Sequence, residues 1–158
     1  METLKLNKAT AIRLYPKADA EFKEMLTETF GAHTFSQKIT DRVKTFEDAC
    51  KALGFKYSTN PIVDNVAVAD YDAVNAFAKL CIIARALNEG WQPNWKDSSE
   101  YKYYPWFDLS SGSGLSFSDC VDWGSRSAVG SRLCFKSREL AEYAGKKFKK
   151  LYEQYFLL

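Results

Sequence analysis

The sequence predicts an α+β protein: N-terminal short helices and a central buried helix, a three-stranded antiparallel meander, and a long C-terminal helix. Three observations carry this. Apolar residues recur at helical spacing before Gly90 and again after Ser137. Between them, three stretches alternate with a period of two across Ser/Gly links. The 158 residues, 46% hydrophobic and 15% aromatic, suffice for a core and exclude chain-wide disorder. The expected organisation is one α+β domain over 1–158, helical in 1–90, with the sheet and C-terminal helix in 91–158.

Asn7 caps a short helix that runs to Tyr15, and Pro16 stops it. Asp19–Phe30 places Phe22, Met25, Leu26 and Phe30 on one stripe, and Gly31 ends it. Thr40 or Asp41 opens a stretch in which Val43, Phe46, Ala49, Cys50 and Leu53 keep helical spacing up to Gly54. A polar loop over Lys56–Asn60 follows, closed by Pro61. Asp70 is placed to cap Tyr71–Asn88, whose apolar residues spread well beyond one face, as in a helix buried on more than one side.

All four tryptophans fall within Trp91–Trp123. Lys102–Leu109 reads as a strand with Tyr104, Trp106 and Asp108 on one face and Tyr103, Pro105, Phe107 and Leu109 on the other. Pro105 has no N–H, so this strand must lie at an edge or carry a bulge. After the Ser110–Gly114 turn, Leu115–Val121 alternates with Leu115, Phe117 and Val121 opposed to Ser116, Ser118 and Cys120. Gly124–Gly130 links it to a third strand, Val129–Lys136, with Leu133 and Phe135 on one face and Arg132, Cys134 and Lys136 on the other. Ser137 caps the last helix, Arg138–Phe156, where Leu140, Ala144, Phe148, Leu151 and Tyr155 form the apolar stripe.

Composition excludes several functions. No apolar run reaches the ~20 residues of a membrane span, and Met1–Tyr15 predicts no signal peptide, which places the chain in the cytoplasm. Cys50, Cys81, Cys120 and Cys134 form no CxxC pair and read as reduced core thiols. His33 is the single imidazole, so neither a His-rich zinc site nor a His-based nucleophile is expected, and no cofactor is called for. The Gly-rich links lack the spacing of a phosphate loop. Asp108, Asp119 and Asp122 form the one carboxylate group that a metal-dependent hydrolase would use, although turn and strand-end aspartates paired with Arg126 or Arg132 explain them more simply.

Charge is uneven. Glu89–Asp122 holds two basic and six acidic residues, whereas Trp123–Leu158 holds eight basic and three acidic. Trp123, Arg126, Ser127, Arg132, Lys136, Ser137 and Arg138 crowd into this basic stretch. The N-terminus of the last helix, with Lys136 and Arg138 beside it, suits an anion, and nearby Tyr104 and Trp106 suit a stacked base. The plainer reading is that Ser137 only caps a helix and the aromatics only fill a core.

The segments KYYPWFDL, VGSRLCFKSRELAEYAGKKFKKLYEQY, TFEDACKALG and AKLCIIARALNEGWQPNW resemble a group of uncharacterised proteins encoded by Bacteroidota and their phages. The resemblance spans nearly the whole chain. It implies a bacterial-cell or virion setting and transfers no residue role.

The leading expectation is therefore a non-enzymatic binding protein for an anionic, aromatic ligand: a nucleotide or single-stranded nucleic acid. The alternative is a structural or accessory component of a phage or mobile element that binds a protein partner or a second copy of itself. The third is a hydrolase built on the three aspartates.

Overall fold

The computed structural model describes residues 6–36, 38–54, 56, 66–110 and 114–157. The chain divides into two compact units, Met1–Tyr57 and Ser58–Leu158.

The first unit is built of short helices whose ends are written in the sequence. Asn7 accepts the Thr10 N–H at 2.9 Å and opens α1 (Lys8–Leu14), which tightens into a 3₁₀ turn, Tyr15–Lys17, at Pro16. Asp19 accepts the Phe22 N–H at 2.9 Å and opens α2 (Ala20–Phe30), which Gly31 ends at φ +82°. After the single turns α3 (His33–Ser36) and α4 (Ile39–Arg42) comes α5 (Phe46–Leu53). Its cap is Thr45, reciprocated by Asp48, and not Thr40 or Asp41. Ala11, Leu26, Ile39, Val43, Ala49 and Cys50 form the core, and Tyr15 stacks on Phe35 at 4.1 Å. Of the expected α2 stripe only Leu26 is fully buried, and Met25 is exposed. The expected Lys56–Asn60 loop and Pro61 lie, beyond Lys56, outside the described residues.

The second unit holds α6 (Tyr71–Leu87), β1 (Lys102–Asp108), β2 (Ser116–Trp123), α7 (Arg138–Lys147) and α8 (Lys149–Phe156). A 3₁₀ turn, Val68–Asp70, runs directly into α6. Asp70 is itself helical and makes no side-chain cap, contrary to expectation. β1 and β2 form an antiparallel ribbon in which Tyr103 faces Asp122 and Pro105 faces Cys120. The register slips by one between Trp106 and Phe107, so Ser118 is an extra residue on β2. The bulge puts Phe117 and Cys120 on the same face, opposite Phe107 and Pro105, where strict alternation separates them.

Helix α7 lies on that face of the ribbon, and α6 packs along α8. Gly145 allows the close approach of α7, for a Cβ there would sit 2.6 Å from the Phe117 ring and 2.7 Å from Pro105. Helix α8 joins the layers: Tyr152 meets Phe107 at 4.8 Å, and Tyr155 meets Phe77 of α6 at 5.4 Å.

The fold is mixed α+β, but the sheet is two-stranded and the predicted meander is not formed. Of Val129–Lys136 only Phe135 pairs, exchanging both backbone bonds with Tyr103 at 3.0 and 2.7 Å. The next hydrogen-bonded pair would set residue 133 against Pro105, which has no N–H to give. In the other direction Ser137 already belongs to the start of α7. Upstream, the Ser127 hydroxyl accepts the Val129 and Gly130 N–H groups, and Gly130 at φ +64° turns the chain into a 3₁₀ turn, Gly130–Arg132. The single long C-terminal helix is likewise corrected. It breaks at Phe148 (φ −108°, ψ 24°), three residues after Gly145, a weak helix former. The break brings Tyr152 into the core in place of Leu151 and Tyr155, which are half-buried.

Candidate functional site

The residues singled out from sequence divide by what already occupies them. Ser137 caps α7, its hydroxyl accepting the Leu140 N–H at 3.4 Å. Glu139 in the first turn bonds to its own backbone N–H and to Ser137, which holds its carboxyl below the usual carboxylate range. The helix end thus spends part of its anion-binding capacity on the chain itself. Lys136 reaches the Glu89 carboxylate at 3.3 Å, while its backbone N–H bonds to the Asn88 side chain at 3.0 Å.

Arg138 is held at the outer edge of β2. Because Tyr103 spends both backbone groups on Phe135, its neighbour on β2, Asp122, and likewise Cys120 direct theirs away from β1. The Asp119 carboxylate accepts the Cys120 N–H at 2.7 Å, and the Arg138 guanidinium donates to the Cys120 carbonyl at 3.0 Å. The two side chains also pair with each other at 2.8 Å. The Cys120 N–H and then Arg138 hold the Asp119 carboxyl below its ordinary range. Together they plug an edge that would otherwise offer backbone bonds to another strand.

The three aspartates do not converge. Asp119 is committed to Arg138, and Asp108 accepts two bonds from Ser110, at 2.8 and 2.6 Å, which lower its carboxyl. Asp108 and Asp122 stand at opposite ends of the ribbon, five residues apart along β1 and so about 16 Å. Among the described residues no three His, Cys, Asp or Glu side chains are grouped to hold a metal ion. The thiols are free. Burial pushes Cys120 and Cys134 up to about 11 and raises Cys50 as well, so these are core groups and weak nucleophiles. His33 begins α3.

Tyr104 is 1% exposed, so its ring offers no stacking surface; its hydroxyl is buried with no hydrogen-bond partner among the described residues. What stays accessible is Trp106 and Trp123, 52% and 50% exposed. Trp123 faces Lys102 and Trp106 follows four residues along β1, so both stand on one face of the ribbon, about 13 Å apart along it. Arg126 and Arg132 lie on the segment that leaves Trp123. Both are exposed, and neither has an ion-pair partner among the described residues.

That segment rests on the 91–101 loop. A Cβ at Gly124 would run into the Ser98 carbonyl, and the Trp95 indole N–H donates to the Ser131 hydroxyl at 2.6 Å. Sequence reading missed the residue that organises this loop, Lys102, whose side chain is fully buried. Its position on the Tyr104 face was readable from the alternation, but its burial was not. On the outer side of α7, Glu139, Glu142, Tyr143, Lys146 and Lys147 line a shallow open depression of about 500 Å³. No described helix is long and apolar enough to cross a membrane.

Comparison with protein-family models, with curated proteins and with solved structures yields no match.

Proposed function

We propose that this protein binds an anionic, aromatic ligand, a nucleotide or single-stranded nucleic acid, without catalysing its conversion. The reading rests on one observation: half-exposed Trp123 is followed within nine residues by two exposed arginines, Arg126 and Arg132, that have no ion-pair partner among the described residues. An indole face gives a base a stacking surface, and a free guanidinium gives a phosphate a bidentate donor. Lys136, Ser137 and Arg138 support the site's surroundings instead of taking ligand. The test is a tryptophan-fluorescence titration with adenosine triphosphate and with oligothymidylate at several salt concentrations. Two phosphate contacts on a single strand predict a slope of log affinity against log salt near −1.4. Arg126→Ala with Arg132→Ala should abolish that slope, and Trp123→Ala should remove most of the affinity. No binding of either probe at low salt refutes the proposal.

A second reading follows from the other end of the ribbon. Trp106 and Leu109 are exposed there beside Asp108, a setting that repels a phosphate chain and suits a protein surface. A phage or mobile-element accessory role fits this patch. Light scattering across a concentration series, with Trp106→Asp as the control, tests self-association; a strict monomer that captures no partner from native cells counts against it.

A further inference from the structure

The 91–101 loop carries few buried apolar side chains, yet it is closed tightly around one group. The Lys102 Nζ donates to the carbonyls of Asn94 at 2.6 Å, Asp97 at 3.0 Å and Glu100 at 2.5 Å. The Glu100 carboxylate lies 3.2 Å away, and the Trp95 ring centroid 5.5 Å away. An ammonium has three N–H donors, and the three carbonyls use all of them, leaving the carboxylate and the ring to balance the charge. The remaining loop bonds aim those carbonyls inward: Glu100 accepts the Asn94 N–H at 2.8 Å, Asn94 the Lys96 N–H at 3.1 Å, and Asp97 the Ser99 N–H at 2.8 Å. The Asn94 N–H and then Lys102 hold the Glu100 carboxyl below its usual range.

We infer that the Asn94–Glu100 loop is a primary-ammonium cage, filled from within the chain by Lys102, and that this buried cation positions the 124–132 segment. The connection is direct. The caged loop contributes the Ser98 carbonyl against which Gly124 lies and the Trp95 indole that holds Ser131. Removing the cation takes the Lys102 donor from all three carbonyls and leaves only the Asp97 N–H on that of Asn94, at 3.3 Å, and the loop then opens to give them water. Lys102 is thus a positioning residue for Arg126 and Arg132, whichever ligand that segment takes.

The test has an arm on the unaltered protein and an arm on variants. In the ¹⁵N-lysine-labelled protein, one ammonium resonance should exchange with water much more slowly than the others, and Lys102→Met should abolish it. In Lys102→Ala, trypsin should cut after Lys96 about tenfold faster than in the parent, in line with the loss of charge-assisted hydrogen bonds. Butylammonium should restore protection, whereas butanol or sodium chloride at the same concentration should not. Lys102→Met, which keeps the apolar stem but not the donors, should be cut as fast as Lys102→Ala. Equal protection of Lys96 in Lys102→Met and the parent, or equal rescue by butanol and butylammonium, overturns the inference. If neither variant folds, the labelled parent decides: an ammonium set that exchanges uniformly fast overturns it as well. A parent protein with a caged ammonium but no affinity for nucleotide or oligonucleotide separates this inference from the ligand proposal.

Discussion

Replacing Gly145 with Ala should destabilise the protein, although the same change in an ordinary helix interior does the reverse. In a solvent-facing helix the exchange gains about 1 kcal/mol from propensity alone. Here the new methyl would stand 2.6 and 2.7 Å from Phe117 ring carbons and 2.7 Å from Pro105 Cβ, where comfortable carbon contacts begin at about 3.5 Å. The Phe117 ring is half-buried and can yield in part. The Pro105 ring is tied to the β1 backbone and cannot. Overpacking of this kind costs roughly 1–3 kcal/mol, so the net loss after the propensity gain reaches about 2 kcal/mol. For a unit of about one hundred residues each kcal/mol corresponds to about 4–8 °C, so Tm should fall by several degrees. The assay is urea and thermal unfolding of Gly145→Ala, of Phe117→Ala and of the double variant. Phe117→Ala clears space for the methyl, so the two changes should cost less together than their sum. A raised Tm for Gly145→Ala, or strictly additive costs in the double variant, would mean that α7 is not seated on the ribbon.

Phe148, 7% exposed at the break between α7 and α8, should cost about 3–5 kcal/mol on truncation to Ala, while Lys147→Ala on the solvent side should change stability by less than about 0.5 kcal/mol in the same denaturation assay. Arg138→Ala should leave the Cys120 carbonyl without its donor and the Asp119 carboxylate without its counter-charge at the β2 edge, and light scattering should then detect concentration-dependent association absent from the parent. Asp97, Asp108 and Asp119 are held below their unfolded values, so their contribution is present above the ordinary carboxylate range and is lost as pH falls through the folded values. Urea midpoints should therefore decline with acidification, and Asp119→Asn should flatten part of that decline. With the Cys120 and Cys134 thiols pushed up to about 11, a disulfide reagent at pH 8 should label both slowly in the native protein and rapidly in denaturant.

The sequence by itself determined several of the helix ends and the identity of the two strands that form, because those depend on neighbours within one turn. Asn7, Asp19 and Ser137 cap helices where side-chain chemistry says they should, and Gly31 and Gly54 end helices in left-handed or open backbone that a Cβ disfavours. The β1 alternation was equally legible, and the warning from Pro105 pointed to an edge. What the tertiary structure alone decided involves partners distant in the chain. Leu133 and Phe135 look like strand residues, but the ladder that would use them ends at a proline thirty positions earlier, whose missing N–H lies on the very edge they approach. A one-residue bulge at Ser118 turned Cys120 to the helix side, and a break at Phe148 exchanged Leu151 for Tyr152 in the core. Arg138 and Lys136 looked free for an anion because Asp119 and Glu89 lie 19 and 47 residues away along the chain. The burial of Lys102 was not legible, because composition records its charge and not the three carbonyls that surround it. Periodicity and caps report local geometry, whereas pairing, burial and the neutralisation of charge are settled only when distant segments meet.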